Sequence, residues 1–143
     1  MIVVDSSILL ASALVDEPLH PQAQQAVLSW TDAKTPLAAP RLFRSEIAAV
    51  LRRAAFQKRI THEKGRELLT LLLQTPIEFY EDDRLLLDAY EIAGRFNLPR
   101  SYDAQYLALA ERLACDFWTV DRTLVNSLQT GFSGVHWLGN FSP

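Results

Sequence analysis

The sequence contains one cysteine, Cys115, in 143 residues. A single thiol excludes a disulfide framework within the chain and indicates a reducing compartment. Cys115 follows an alanine-rich helical pattern and precedes an apolar run, which is typical of a small buried hydrophobic residue and not of a nucleophile. We therefore expect a cytoplasmic protein.

Long hydrophobic runs are also missing. No stretch is long enough to cross a membrane, so we expect no membrane partner. The apolar run over residues 2–15 has no basic leader and is interrupted by Asp5, so it is not expected to be a signal peptide.

Motifs of several common enzyme classes are absent. There is no glycine-rich loop of the nucleotide-binding type and no Gly-x-Ser-x-Gly nucleophile elbow, which disfavours kinases and esterases. The histidines His20, His62 and His136 are scattered and have no cysteine partner at zinc spacing. We expect each histidine to be a surface or loop residue and not a metal ligand.

Positive charge is in deficit overall but concentrated in one segment. The net charge is −3, yet residues 41–66 hold eight basic and two acidic residues, a local charge of +6. The rest of the chain therefore carries −9. Such a segment is usually a solvated helical face, but it also supplies the cations that position nucleic-acid phosphates.

Short apolar runs alternate with helical patterns along the chain. With 49% hydrophobic residues, one domain over residues 1–143 can bury a substantial core. The runs that predict strands are residues 2–4, 37–39, 77–80, 117–120 and 135–137. This alternation predicts a three-layer α/β/α sandwich around a central parallel sheet.

The helical patterns predict which side chains face the core. Thr61 and Ser101 are predicted helix caps, and Ser6 or Ser7 is predicted to cap the first helix. In the helix over residues 41–55 the predicted apolar stripe is Phe43, Ile47, Val50, Leu51 and Ala54. In the helix that begins at Asp83 the side chains predicted to face inward are Leu86, Leu87, Tyr90, Ile92 and Ala93.

Two carboxylates directly follow predicted strands, namely Asp5 and Asp121. In an open parallel sheet, active sites lie beyond the carboxyl ends of the strands, where the strand order reverses. Asp103 precedes Tyr106 and Leu107 by three and four residues, so it shares the apolar face of its helix. A purely structural interpretation is also open, in which Asp103 favours the helix dipole and Asp121 caps the next helix.

Glu46 lies on the apolar stripe of its helix, three residues after Phe43 and four before Val50. A carboxylate in this position must be paired, protonated or bound to a metal. A salt bridge to a neighbouring arginine is the structural alternative.

Four carboxylates packed together repel one another, and a divalent cation reverses that effect. Carboxylate oxygens with water are the ligands preferred by Mg²⁺ and Mn²⁺. Such a centre typically performs phosphoryl chemistry with a metal-activated water, which favours a nuclease or a phosphatase.

Four blocks of the sequence resemble the PIN-domain family, and the closest likeness is to the VapC-like toxic ribonucleases of prokaryotic toxin–antitoxin pairs. The blocks occur in the family's order and span nearly the whole chain. They are Ile2-Val-Val-Asp5-Ser-Ser7, Pro40-Arg-Leu-Phe-Arg-Ser-Glu46-Ile-Ala-Ala-Val-Leu-Arg-Arg53, Tyr102-Asp103-Ala-Gln-Tyr-Leu-Ala-Leu-Ala-Glu111 and Thr119-Val-Asp121-Arg-Thr-Leu124.

The resemblance implies a five-strand parallel sheet and RNA cleavage that depends on Mg²⁺ or Mn²⁺. It also implies a homodimer and inhibition by a cognate antitoxin protein. The family's acids correspond to Asp5, Glu46, Asp103 and Asp121, which are implied to be catalytic and metal-binding. The hydroxyl near the first acid corresponds to Ser7, with Ser6 as the second choice.

Other functions remain open at this point. A PIN nuclease with a housekeeping role in RNA processing would carry the same residues, and a catalytically silent RNA- or protein-binding module would keep the fold without binding metal. A phosphoacceptor receiver also gathers acids at strand ends, but it needs a second acid beside the first and a lysine after a late strand. The lysines are Lys34, Lys58 and Lys64, so a receiver is disfavoured.

Overall fold

The centre of the protein is a parallel β-sheet. The computed structural model describes residues 1–128 and 131–143. The strands within these residues are β1 (Ile2–Val4), β2 (Leu37–Pro40), β3 (Ile77–Tyr80), β4 (Asp116–Thr119) and β5 (Val135–Trp137). Their pairings are all parallel, in the order β3-β2-β1-β4-β5, which confirms the expected five-strand sheet.

Helices cover the sheet and complete the expected three-layer sandwich. The helices are α1 (Ser6–Ala13), α2 (His20–Asp32), α3 (Leu42–Phe56), α4 (His62–Leu73), α5 (Asp83–Arg95), α6 (Tyr102–Leu113) and α7 (Arg122–Ser127), with a short 3₁₀ helix at Leu138–Asn140. They form two packed groups: in one, α1 contacts α2 and α3 while α3 contacts α4, and in the other, α5 packs on α6. Within the described residues, none of these helices is long and apolar enough to span a bilayer.

The middle strands are buried on both faces, as their continuous apolar runs predict. Val3, Val4 and Phe117 have no exposed surface, and neither do the small residues Ala38 and Ala39 of β2. Helix α6 contacts β1, β2 and β4 and is itself buried from Tyr106 through residue 110. The sheet centre is therefore a rigid base for the residues at its carboxyl edge.

The inward face predicted for α5 is wrong in part. Leu86, Leu87 and Tyr90 are 51%, 63% and 71% exposed. Ile92 and Ala93 are buried as predicted, whereas Leu85 and Ala89 take the places expected for the larger residues. The prediction favoured the large side chains, whereas the close packing of α5 against α6 selects the small residue Ala89.

Two smaller predictions also need correction. Val50 is 38% exposed and lies off the buried stripe of α3, which consists of Phe43, Ile47, Leu51 and Ala54. Helix α1 is capped by Asp5, not by a serine, because the Asp5 side chain accepts a hydrogen bond from the Ser7 amide. The predicted Thr61 cap is confirmed, whereas Ser101 precedes α6 without a side-chain cap bond.

The strand order reverses beside β1. The chain runs outward from β1 through β2 to β3 and then returns to place β4 on the opposite side of β1. In open parallel sheets, ligands bind beyond the carboxyl ends of the strands at such a reversal point. Asp5 follows β1 directly, and Asp121 lies two residues beyond the end of β4.

Candidate active site

Asp5 is held at the carboxyl edge of the sheet by several hydrogen-bond donors. One carboxylate oxygen, Oδ1, accepts from the Ser7 amide at 3.3 Å and lies 3.4 Å from Ser6 Oγ. The other oxygen, Oδ2, accepts from Thr119 Oγ1 at 2.6 Å. Removal from water raises the pKa of Asp5, and these hydrogen bonds, led by that of Thr119, act in the opposite direction.

Thr119 connects two of the acids, and sequence analysis missed it. Its side chain is completely buried; the hydroxyl donates to Asp5 and accepts from the Asp121 amide at 3.1 Å. The register explains the contact, because Val4 pairs with Trp118 and the next residues along both strands are therefore level. A polar side chain within an otherwise apolar strand was the available signal, since buried hydroxyls require partners.

Glu46 reaches the same place from α3. Its Oε1 accepts from the Tyr106 hydroxyl at 2.5 Å and lies 3.3 Å from Ser6 Oγ. No arginine, lysine or histidine of the described residues forms an ion pair with it, so the salt-bridge alternative is not what this structure contains. Burial, followed by the negative charges of Asp5 and Asp103, raises the pKa of Glu46 to about 7.

Asp103 and Asp121 complete the acidic group. Asp103 lies in the first turn of α6 at the surface, and Asp121 caps α7 by accepting from the Leu124 amide at 2.9 Å. The pKa of Asp103 is raised by partial removal from water and then by the charges of Asp5 and Asp121. The capping role considered for Asp121 is therefore real, and it coexists with closeness to the other acids.

The structure thus brings all four predicted acids to one edge of the sheet. Negative charge at one acid raises the pKa of its neighbours, and the charge of Arg100 opposes this effect at Asp103. Carboxylates held together without an equal number of cations favour proton or cation binding.

The chemistry of these residues fits a hard divalent cation. Four carboxylates supply oxygen ligands, and the buried Ser7 Oγ beside Asp5 has no hydrogen-bond partner among the described residues. Within residues 1–128 and 131–143, however, no three His, Cys, Asp or Glu side chains are placed so that together they could hold a metal ion. The carboxylate and hydroxyl oxygens are therefore the right types of ligand for the cation, but the described side chains are not arranged in a coordinating geometry.

The loop that carries Asp121 is fixed by Trp137. The indole Nε1 donates to the Val120 carbonyl at 3.2 Å, and the guanidinium of Arg122 lies 4.7 Å from the centre of the Trp137 rings. A Cβ at Gly139 would collide with the indole, so glycine is required where the chain passes this ring. Asp121 therefore lies between two residues anchored to one aromatic side chain.

Other residues considered from the sequence lie elsewhere. His20 contacts the Ala11 carbonyl and His62 begins α4. His136 lies within β5, in the strand predicted over residues 135–137, where it stacks on Trp118 and lies 3.3 Å from Asp116. Burial raises the pKa of the Cys115 thiol, which disfavours a reactive thiolate.

The basic segment over residues 41–66 is partly neutralised. Arg59 donates to Asp16 and Glu17 at 2.8 Å each and fastens the α3–α4 connection to the α1–α2 connection. Arg41 lies 3.5 Å from Glu81. Arg52 and Arg53 are exposed and form no ion pair with any described residue.

Comparison with known proteins identifies relatives over most of the chain. Residues 2–126 match the PIN domain family. The chain is 39% identical over 129 residues to ribonuclease VapC9 of Mycobacterium tuberculosis, covering 90% of this chain and 92% of that protein. A VapC ribonuclease of Mycobacterium bovis shows the same identity and coverage.

Solved structures share the fold at lower identity. The M. tuberculosis toxin VapC20, which cleaves the sarcin–ricin loop, matches with a TM-score of 0.69 at 18% identity, covering 95% of this chain and 99% of that chain. A toxin–antitoxin complex from Klebsiella pneumoniae matches with a TM-score of 0.66 at 16% identity, covering 96% and 98%. At these identities the structures support the fold alone.

Proposed function

Because the chain belongs to the PIN-domain family, we propose that it is a VapC-like endoribonuclease and the toxin of a toxin–antitoxin pair. The observation that carries this proposal is the group of four acids at the reversal point of the sheet, with Asp5 and Asp121 joined through Thr119. The curated relatives are named as ribonucleases, and the match covers 92% of each of them, which supports RNA as the substrate.

We propose further that cleavage depends on Mg²⁺ or Mn²⁺ held by Asp5, Glu46, Asp103 and Asp121. When bound, such a cation supplies an activated water and charge neutralisation at the phosphate. The protein's own residues position these ligands. Thr119 fixes Asp5 by a hydrogen bond, and the Ser7 hydroxyl, which has no partner among the described residues, can hydrogen-bond to a ligand of the cation. The raised pKa values of Asp103 and Glu46 support the need for a positive charge among these acids.

The proposed partners are RNA, a cognate antitoxin and a second copy of the chain. The antitoxin partner follows from the proposed toxin role, and toxin–antitoxin complexes occur among proteins of the same fold. The proposed homodimer agrees with the exposed apolar residues Leu86, Leu87 and Tyr90 on α5. We propose that the 143 residues form one domain and act in the cytoplasm.

A housekeeping PIN nuclease is the second candidate, since it would use the same acids. The names of the 39% identical relatives favour the toxin. A small reading frame for an antitoxin directly upstream of this gene is expected for the toxin and not for a housekeeping enzyme. A catalytically silent module requires that the four acids bind no metal.

The test is cleavage of total RNA in vitro, with sequencing of the new ends, in the presence and absence of Mn²⁺. We expect discrete cleavage sites that appear only with the cation and disappear in the Asp103→Asn variant. Cleavage that is equal with Mn²⁺ and with a chelator would refute metal dependence, and intact RNA under all conditions would favour the silent module.

A further inference from the structure

Tyr106 is a buried tyrosine whose hydroxyl points at the acidic group. Its side chain is 1% exposed, and its ring stacks on Phe117 with centroids 5.6 Å apart and an interplanar angle of 19°. Packing therefore fixes the ring, and the ring fixes the hydroxyl 2.5 Å from Oε1 of Glu46.

Both neutral donors near Glu46 meet the same oxygen. Ser6 Oγ lies 3.3 Å from Oε1, the atom that also accepts from Tyr106. Oε2 has no donor among the described residues. One carboxylate oxygen is thus anchored inside the protein, and the other is unclaimed.

We propose that Tyr106 is a positioning residue of the active site, which together with Ser6 anchors Oε1 of Glu46 and leaves Oε2 for a divalent cation or one of its water ligands. This inference rests on the proposed metal-dependent function. The phenol acts only through Glu46, because an unanchored carboxylate on a long side chain must lose rotamer freedom each time it binds.

A simpler role for the contact is structural, since a buried hydroxyl needs a hydrogen-bond partner in any case. The two roles differ in what the loss of the hydroxyl changes. A structural hydroxyl affects the free energy of unfolding alone, whereas a positioning hydroxyl also affects cation affinity at a site it does not touch.

The experiment is Mn²⁺ calorimetry on the whole chain with Tyr106→Phe. We expect Mn²⁺ affinity to fall by about 10- to 100-fold, the range for groups that orient metal ligands. Tyr102→Phe is the matched control, because Tyr102 lies on the same helix but is 59% exposed, and its Mn²⁺ affinity should equal that of the wild type. In a Glu46→Gln background, Tyr106→Phe should cause no further loss, because the two changes act through one group.

Unchanged Mn²⁺ affinity in Tyr106→Phe would overturn the proposal, whatever happens to the melting temperature. If that variant does not fold, Ser6→Ala removes the second donor to Oε1. Because Ser6 Oγ also lies 3.4 Å from Asp5 Oδ1, Ser6→Ala is measured in the wild type and in Glu46→Gln; no loss in the wild type, or an equal loss in Glu46→Gln, would overturn the role at Glu46. A wild-type chain that neither binds Mn²⁺ nor cleaves RNA would refute the proposed function, whereas a failure confined to the Tyr106 variant would refute this inference alone.

Discussion

At the scale of single residues, Glu46 makes stability depend on pH. Its pKa of about 7 in the folded protein lies above the ordinary value of 4.5, so the folded state binds a proton more tightly than the unfolded state. This stabilisation is complete below pH 4.5 and is lost as the pH rises through about 7.

We therefore predict that the metal-free protein melts at a higher temperature at pH 5 than at pH 8. Asp5 and Asp103 contribute in the same direction, because both carboxyl pKa values are raised. Glu46→Gln should reduce the difference in melting temperature by a few degrees, on the order expected for about 1 kcal/mol in a chain of this size. An identical pH profile for Glu46→Gln would show that Glu46 does not titrate in this range.

Thr119 gives a second prediction at this scale. Thr119→Val keeps the shape but removes the donor to Asp5 and the acceptor for the Asp121 amide. The free energy of unfolding should fall by about 1–3 kcal/mol, because buried polar groups lose their partners. Mn²⁺ affinity should also fall. Thr119→Ser keeps the hydroxyl and serves as the control in denaturant melts and calorimetry; equal losses in both variants would indicate packing and not hydrogen bonding.

Sequence reasoning located the acids because charge in an apolar pattern is visible along the chain. Asp5 and Asp121 follow strands, and Glu46 interrupts a stripe. The partners Thr119 and Tyr106 were not found, because their role depends on strand register and helix packing, which bring residues distant in sequence together.

At the scale of helices, α3 presents exposed cations that nothing in the described chain neutralises. Arg52 and Arg53 are adjacent, so about 100° of rotation around the helix axis separates them and they cannot both face one ligand fully. We therefore predict that Arg52 and Arg53 position RNA or an antitoxin and, unlike Glu46 on the same helix, take no part in bond cleavage.

Reversing the charge at Arg52 and Arg53 should weaken RNA binding and lower the slope of log affinity against log salt by about 1 for each phosphate that these arginines neutralise. Filter binding at several salt concentrations measures this. Arg84→Glu is the control, because Arg84 is an exposed arginine on α5 that is already paired with Asp88 at 2.9 Å. An unchanged slope in the α3 variant would show that Arg52 and Arg53 lie on a solvated face without an RNA contact. A defect in antitoxin binding alone would show that these arginines contact the antitoxin.

The positions of most strands and helices were predictable because apolar runs are local signals, although β4 is Asp116–Thr119 where residues 117–120 were predicted, and of the predicted serine and threonine caps only Thr61 is confirmed. The buried face of α5 was not fully predictable, since large apolar residues occur on both sides of the helix and only packing against α6 decides which side is buried.

At the scale of the whole molecule, the exposed residues of α5 bear on assembly. Contiguous apolar side chains on a protein surface mark interaction sites. If a second copy covers Leu87 and Tyr90, Leu87→Glu should shift the protein from dimer to monomer in sedimentation experiments, with unchanged helix content. Leu28→Glu is the control, since Leu28 is 62% exposed on α2. A wild-type chain that is monomeric at all concentrations would contradict the proposed dimer.

The central claim is that the four acids form the active site, and replacing them one at a time distinguishes a role in cleavage from a role in stability. Asp5→Asn is expected to abolish metal-dependent cleavage, but it also alters the hydrogen bonds from Ser7 and Thr119. Asp103 is the cleaner position, because its carboxylate accepts no hydrogen bond from the described residues. Its pKa is raised by partial removal from water and then by the charges of Asp5 and Asp121.

The most direct measurement is therefore the rate of RNA cleavage with Mn²⁺ by wild type and Asp103→Asn, with thermal melts of both metal-free proteins. We predict no detectable metal-dependent cleavage by the variant and a melting temperature equal to or above that of the wild type, because one repelling charge has been removed. Full cleavage by Asp103→Asn would contradict its place in the active site, and a large loss of stability would show the carboxylate to be structural.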